Sequence, residues 1–194
     1  MRTLISMTYV YSVNATSMDT SKGNDTEEFG FLNDLPDDDE EEKSIVEFLA
    51  GADLYVMGRV LYEEFASHFQ GKTASDHPFA PIYANTDKIV FSQTLTTADW
   101  ERTTINRGDL VTEIEKLKSE GDGYMIVTGR GGIHRTLLQH DLIDEFRITV
   151  FPMLLGRGTR MLEPDDVGEF KSLELISCRP GTNGVVVLHY RRRR

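Results

Sequence analysis

A glycine-rich segment in the second half of the chain has the residues to bind an anion. The segment VTGRGGIHRTLLQH, residues 127–140, places Gly129, Gly131 and Gly132 between a β-rich run and an apolar spacing that suits a short helix. A strand that turns through glycines into a helix offers unpaired backbone N–H groups and the positive end of the helix dipole, which both favour phosphate. The same glycines could serve only to make a tight turn, and the segment alone leaves both interpretations open.

Polar residues also follow two other β-rich runs. Gly58 and Arg59 come directly after LYVM, and Ser92 comes directly after KIVF. A guanidinium group, a hydroxyl group and a bare backbone loop at neighbouring strand ends form a set that can bind phosphate. Each residue also has a purely structural interpretation, because Arg59 could pair with Glu63 one helical turn on and Ser92 could cap a turn.

The glycine pattern differs from the usual dinucleotide fingerprint. That fingerprint is GxGxxG in the first βα turn, with an acidic residue about 20 positions later that binds the ribose hydroxyls. Here the pattern is G-x-G-G, and the next acids, Asp144 and Glu145, precede the following strand instead of ending it. An arginine and a serine without a ribose-binding acid suit a cofactor with a 2′-phosphate, so the sequence predicts NADPH in preference to NADH.

Composition excludes several classes of protein. The net charge of −11 argues against nonspecific nucleic-acid binding, and no apolar run approaches the length of a membrane span. The single cysteine, Cys178, excludes an internal disulfide framework and predicts a cytoplasmic protein; its place in a predicted strand indicates a core residue. The five histidines lack the spacing of metal ligands, so no metal site is predicted, and His134 is expected to be solvated on its helix.

Alternation of β-rich and amphipathic runs defines the expected architecture. Repeated βα units imply a parallel sheet covered by helices on both faces, and a C-terminal hairpin with an Asn183-Gly184 turn adds antiparallel strands. The segment from His77 to Pro81 is predicted to be a surface loop. A single domain over residues 1–194 is expected. The predicted strands are residues 3–13, 54–57, 88–92, 124–128, 145–151, 173–178 and 185–190. Four helices are predicted. The first covers residues 44–51, the second carries Leu61, Phe65 and Phe69, the third is capped by Asp109, and the fourth follows the glycines.

Four blocks carry a resemblance to a known family: GRVLYEEF (58–65), FSQTL (91–95), VTGRGG with HRTLL (127–138) and LIDEFRITVFPMLLGRGTRML (142–162). In order and spacing they resemble the reductase domain of the bifunctional riboflavin-biosynthesis protein and its stand-alone relatives, the dihydrofolate-reductase-like RibD C-terminal domain proteins. The resemblance implies a dihydrofolate-reductase-like α/β fold, NADPH as hydride donor and a homodimer. It implies reduction of a small heterocyclic or carbonyl substrate, with 5-amino-6-(5-phosphoribosylamino)uracil of riboflavin biosynthesis as the candidate.

The resemblance also assigns roles to residues by position. Gly58 and Arg59 would lie near the cofactor phosphates, and Ser92 near the adenosine 2′-phosphate. Leu155 and Gly156 would line the approach to the nicotinamide. The pyrophosphate would be wrapped by Gly129, Arg130, Gly131, Gly132 and Ile133.

One departure from the family pattern concerns the substrate. The first strand of the family usually ends in Ser-x-Asp-Gly, and here the matching residues are Ser12-Val13-Asn14-Ala15. Asn14, at the substrate-facing position, can hydrogen-bond but cannot exchange a proton as a carboxylate does. The departure keeps an alternative open, an NADP-binding protein with little or no reductase activity, and it disfavours a pterin reductase. The acidic segment 18–42 that follows is predicted to be a mobile cover over the substrate.

Overall fold

The computed structural model describes residues 1–10, 16–17, 35–128, 131–154, 159–162, 167–169 and 171–193. Its strands are β1 (Thr3–Val10), β2 (Thr16–Ser17), β3 (Leu54–Gly58), β4 (Asp87–Phe91), β5 (Thr103–Asn106), β6 (Tyr124–Thr128), β7 (Glu145–Val150), β8 (Thr159–Arg160), β9 (Leu173–Pro180) and β10 (Val186–Arg192). Its longer helices are α1 (Asp39–Ala50), α2 (Arg59–Phe69), α3 (Ala80–Asn85), α4 (Leu110–Ser119) and α5 (Gly132–Gln139).

Eight of these strands form one sheet in the order β5-β4-β3-β6-β1-β7-β10-β9. The six strands from β5 to β7 are parallel, while β10 runs antiparallel to both β7 and β9. β2 and β8 form a separate two-stranded antiparallel pair. The predicted mixed, mostly parallel sheet with an antiparallel C-terminal hairpin is therefore confirmed.

Apolar side chains fill both faces of this sheet. In β3, Tyr55 and Met57 belong to the cluster that packs under α1, α2 and α3, whereas Val56 belongs to the cluster under α4 and α5. These three side chains are at most 1% exposed. A parallel strand covered by helices on both faces needs apolar residues at successive positions, which explains the uninterrupted LYVM run.

Helix α1 begins earlier than the apolar spacing predicts. The spacing indicated a start at residue 44, but Asp38 caps the helix by accepting a hydrogen bond from the Glu41 N–H at 3.0 Å. The acidic residues 39–42 thus form the first turn, where carboxylates interact favourably with the helix dipole. Asp38 also accepts from the Thr182 N–H at 2.6 Å, which joins the start of α1 to the β9–β10 turn.

Two short elements were missed by the pattern analysis. The predicted surface loop at residues 77–81 is wrong at its end, because Ala80 begins α3 and is fully buried. Pro81 stands in the first turn of that helix, where its missing N–H costs no hydrogen bond. β5 is a four-residue edge strand in which Ile105 is the single apolar residue, so it has no apolar alternation to detect.

The last strand of the sheet, β9, is exposed along its whole length. Cys178 lies in β9 and is exposed, so the prediction of a core cysteine is wrong. The reason is the strand order, since β9 is the outer edge and pairs only with β10. The hairpin itself is confirmed. β9 is two residues longer than predicted, β10 begins one residue later and ends two residues later than predicted, and Gly184 adopts a positive φ of 83° in the turn.

Lys88 is a buried cation in β4. Its side chain is 1% exposed, and its Nζ donates to the carbonyl oxygens of Tyr83 at 2.6 Å and Thr86 at 2.8 Å. The ammonium lies 4.6 Å from the centre of the Trp100 ring. Burial lowers the pKa of Lys88 to about 8, because the charged form loses its hydration.

This depressed pKa predicts how stability changes with pH. In the unfolded chain Lys88 stays protonated up to a pKa of about 10.4. Between pH 8 and 10 the unfolded state therefore holds more protons, and the free energy of unfolding should rise with pH. The Lys88→Met variant should lack this rise when urea unfolding is measured across the same range. A parallel pH dependence in wild type and variant would show that Lys88 does not titrate there.

Candidate functional site

Three of the predicted cofactor residues meet at one edge of the sheet. In the parallel register Gly58 stands beside Phe91, so the ends of β3 and β4 are level and Ser92 follows directly. A Cβ atom placed on Gly58 would lie 3.1 Å from Cδ1 of Ile133, in the first turn of α5. Gly58, Ser92 and Ile133 therefore belong to one contiguous surface formed by the carboxyl ends of adjacent strands.

Gly131 has a backbone conformation that requires glycine. Its φ of 105° and ψ of −158° lie outside the regions that residues with a side chain normally adopt. Its added Cβ would meet no atom within 4 Å, so the requirement comes from the backbone angle and not from lack of space. Gly132 has the same open surroundings but a helical conformation, and it begins α5. The chain here presents exposed backbone to solvent at a helix start.

The structural alternatives for Arg59 and Ser92 are both observed. The Arg59 guanidinium donates to the Glu63 carboxylate at 3.0 and 2.8 Å along the exposed face of α2. The Ser92 hydroxyl accepts from the backbone N–H groups of Thr94 at 3.2 Å and Leu95 at 2.9 Å. Both side chains are thereby held in place at the strand ends. These bonds leave guanidinium N–H groups and the hydroxyl proton available to a ligand.

The structure adds one cation that the sequence analysis did not single out. Arg107 follows β5 and its guanidinium donates to the Leu95 carbonyl oxygen at 2.6 Å, across the turn that Ser92 caps. The Gln93 side chain donates to the Arg107 carbonyl oxygen at 2.9 Å, which ties the two loops together. Arg107 is exposed beside Ser92. Recognising it required knowing that β5 pairs with β4, which the polar sequence of β5 does not indicate.

His134 is buried, and the prediction of a solvated helix histidine is wrong. It is 7% exposed and its Nε2 lies 2.8 Å from the Ser6 hydroxyl, on the central strand β1. On α5 it shares the face of Leu137 and Leu138, both buried against the sheet. Ser6 is itself 1% exposed, so each polar group satisfies the other's hydrogen-bonding requirement. This pair attaches the helix after the glycines to β1.

Several predicted site residues lie outside the described residues. They are Asn14, Gly129, Arg130, Leu155 and Gly156, together with residues 18–34 of the predicted cover. Over the ranges that the structure does describe, no cluster of histidine, cysteine or acidic side chains could hold a metal ion. Within the same ranges no helix is both long and apolar enough to cross a bilayer.

A family model covers most of this sequence. The model of the RibD C-terminal domain matches residues 9–187. The chain belongs to this family. The resemblance stated from the four sequence blocks is therefore confirmed.

The individual proteins and solved structures that resemble this chain share little sequence identity with it. The Bacillus subtilis (strain 168) protein YyaP is 30% identical over 103 residues, which cover 53% of this chain and 53% of YyaP, about half the length of that relative. The crystal structure of a putative riboflavin biosynthesis protein from Shewanella sp. PV-4 is similar with a TM-score of 0.74, 22% identity and full coverage of both chains. Dihydrofolate reductase from Enterococcus faecalis, complexed with NADP(H) and RAB-propyl, is similar with a TM-score of 0.59 and 13% identity over 99% of this chain and 97% of that one. The dihydrofolate-reductase-like fold is thus confirmed.

The paired glycines provide a matched test of the site's backbone. Gly131→Ala should lower the free energy of unfolding by roughly 1–3 kcal/mol, because alanine is strained at this φ. Gly132→Ala should leave it unchanged or raise it by up to about 1 kcal/mol, because helical φ suits alanine. Urea unfolding followed by Trp100 fluorescence measures both changes. Equal effects of the two substitutions would contradict the strained conformation at Gly131.

Proposed function

We propose that the chain is an NADPH-dependent reductase of a small heterocyclic or carbonyl compound, acting as a cytoplasmic homodimer through this single domain. The candidate substrate is 5-amino-6-(5-phosphoribosylamino)uracil. One observation carries the proposal: in a member of the RibD C-terminal domain family, Gly58, Ser92 and Ile133 lie together at the carboxyl edge of parallel strands, and Ile133 is two residues after the strained Gly131. Ligands of open α/β sheets bind at this edge.

The residues present fit an NADPH molecule. The exposed backbone N–H groups of Gly132 and Ile133, in the first turn of α5, have no carbonyl partner in their own helix and suit the pyrophosphate. Arg107 and Ser92 supply a cation and a hydroxyl for a 2′-phosphate at the end of β4. NADPH supplies the hydride when bound, and the chain's own task is to orient it and exclude water.

Binding measurements can separate the two proposed phosphate contacts. Arg107→Gln should weaken NADPH binding about tenfold and leave NADH binding unchanged, because only NADPH carries the 2′-phosphate. Arg59→Gln should weaken both cofactors by a similar factor, because both share the pyrophosphate. Quenching of Trp100 fluorescence gives the dissociation constants.

Arg102→Gln is the matched control for these variants. Arg102 directly precedes β5 and therefore lies at the amino ends of the parallel strands, away from the proposed cofactor site. There it pairs with Asp87 at 2.8 Å, and the substitution should change neither the NADPH affinity nor the NADH affinity. Failure of the wild-type protein to bind either cofactor would end the reductase proposal. NADPH oxidation in the presence of candidate acceptors is followed by absorbance. NADPH binding without such oxidation would favour the alternative of an NADP-binding protein without turnover, which Asn14 at the substrate-facing position keeps open.

The exposed edge strand supports the homodimer. β9 presents apolar side chains at Leu173, Leu175 and Ile176, with Leu175 51% exposed. A long edge strand with unpaired backbone groups and apolar side chains is a site for pairing with another chain. A second copy would cover both features at once.

Sedimentation equilibrium tests this interface. Leu175→Glu should shift the protein towards monomer, because a buried carboxylate without a partner would oppose association. Val60→Glu is the control, since Val60 is 67% exposed on α2 but remote from β9 in strand order. A wild-type protein that is monomeric at micromolar concentration would contradict the dimer, and an equal effect of both substitutions would remove β9 from the interface.

A further inference from the structure

Two consecutive residues fix the first turn of α5 to two different strands. Helix α5 follows β6, and in the sheet β6 lies between β3 and β1. The Ile133 side chain reaches the end of β3, where its Cδ1 would lie 3.1 Å from a Cβ placed on Gly58. The His134 imidazole reaches β1 on the other side of β6, where its Nε2 lies 2.8 Å from the Ser6 hydroxyl oxygen. The first turn of the helix is therefore held across three strands.

The two contacts differ in what they constrain. The Ile133 contact is apolar, and attraction between apolar groups has no preferred direction, so it holds the helix close to β3 without fixing its rotation. The His134 contact is a hydrogen bond, which weakens steeply away from its preferred distance and angle. Both of its partners are buried, with Ser6 1% and His134 7% exposed, so water does not compete for them. The hydrogen bond thus sets how α5 is turned about its own axis.

Stability alone does not require a polar pair at this place. Ser6 lies on the same face of β1 as Leu4, and Leu4 and Leu137 belong to the apolar cluster under α4 and α5. Replacing both members of a buried hydrogen-bonded pair by apolar groups of similar shape costs little stability or even adds some. What a satisfied polar pair adds is one defined arrangement of the elements that it joins. The arrangement defined here is that of the first turn of α5 relative to the sheet.

The start of α5 has no side-chain cap. Asp38 and Asp109 accept hydrogen bonds from backbone N–H groups in the first turns of α1 and α4, whereas the residue before α5, Gly131, has no side chain that could do so. The N–H groups of Gly132 and Ile133 stand in the first turn, where the helix itself offers no acceptor. They are the groups proposed above to bind the cofactor pyrophosphate. Their direction depends on the rotation of the helix.

We propose that His134 is a positioning residue of the cofactor site. Its hydrogen bond to Ser6 sets the rotation of α5, and this rotation aims the N–H groups of Gly132 and Ile133 at the pyrophosphate of NADPH. The buried imidazole acts through the helix and needs no contact with the cofactor. This inference rests on the proposed reductase function, because the orientation of these N–H groups matters to binding only if the chain takes up the dinucleotide.

Paired apolar substitutions separate positioning from stability. In the double variant Ser6→Ala/His134→Leu both members of the hydrogen bond are removed together, so the urea midpoint of unfolding should stay close to that of the wild type. The dissociation constant for NADPH, measured by quenching of Trp100 fluorescence, should nevertheless rise roughly fivefold, because misdirected N–H groups lose part of their bonding to the pyrophosphate. His134→Gln should retain the wild-type affinity to within about twofold, since the glutamine amide can replace Nε2 and bond to Ser6.

Adenosine 2′-monophosphate tests where the effect acts. This probe carries the 2′-phosphate but no pyrophosphate, so its affinity, measured by calorimetry, should be the same in the wild type and the double variant. Thr86→Val is the control for loss of a hydrogen bond elsewhere. The partly buried Thr86 hydroxyl donates to the Ile82 carbonyl oxygen at 2.9 Å, directly before the amino end of β4. This variant should bind NADPH like the wild type even though its urea midpoint falls.

Two results would overturn the role of His134. One is an unchanged NADPH affinity in the double variant, and the other is an equal loss of affinity for NADPH and for adenosine 2′-monophosphate, which would show a general disturbance of the site. If the double variant does not fold, Ser6→Ala alone carries the same comparison, because it removes the hydroxyl with little change of volume. Failure of the wild type to bind NADPH is a distinct outcome, which removes the reductase proposal and the role of His134 with it.

Discussion

The parallel alignment of β4, β3 and β6 is the constraint on which the proposed cofactor site depends. Because these strands run in one direction and in register, Gly58, the residue after Phe91 and the start of α5 reach the same edge of the sheet. The three strands come from segments up to about seventy residues apart in sequence. A slip of one residue in β3 would turn Tyr55 and Met57 to the wrong face, so core packing fixes the register. Packing of the core thus determines where the groups proposed to bind phosphate stand.

The two halves of the sheet differ in polarity. The buried residues of β3, β4 and β6 are almost all apolar, with Lys88 as the exception, and they support the edge proposed to bind the cofactor. β7 instead alternates, and its buried side chains are Glu145, Arg147 and Thr149. Glu145 is satisfied by His189 and Arg191 of β10, whereas Arg147 donates to the Ser44 hydroxyl, lies against the Phe48 ring and has no ion pair with a carboxylate of the described residues. The polar half therefore contains a completed ion network beside a buried arginine that is held by a hydroxyl and an aromatic ring.

Helix ends make the connections between these halves. Asp38 caps α1 and also holds the β9–β10 turn, so the helix that carries Ser44 and the strand that carries Arg179 are fixed relative to each other. At the other side of the sheet, His134 and Ser6 attach the start of α5 to β1. Both contacts join elements far apart in sequence. The Asp38–Thr182 hydrogen bond is exposed, whereas the His134–Ser6 pair is buried, where such bonds stabilise most.

The sequence by itself determined the elements whose signals are local. The apolar runs of β3, β4 and β6, the Asp109 cap of α4 and the turn through Gly131 each follow from neighbouring residues, and the four blocks around them were enough to indicate the family. Tertiary structure alone decided what depends on strand order. Cys178 is exposed because β9 is an edge, His134 is buried because α5 packs on β1, and Arg147 and Arg179 donate to the same Ser44 hydroxyl from strands that lie on either side of β10. No local pattern encodes which strands become neighbours, since pairing is settled by the burial of the whole apolar surface at once.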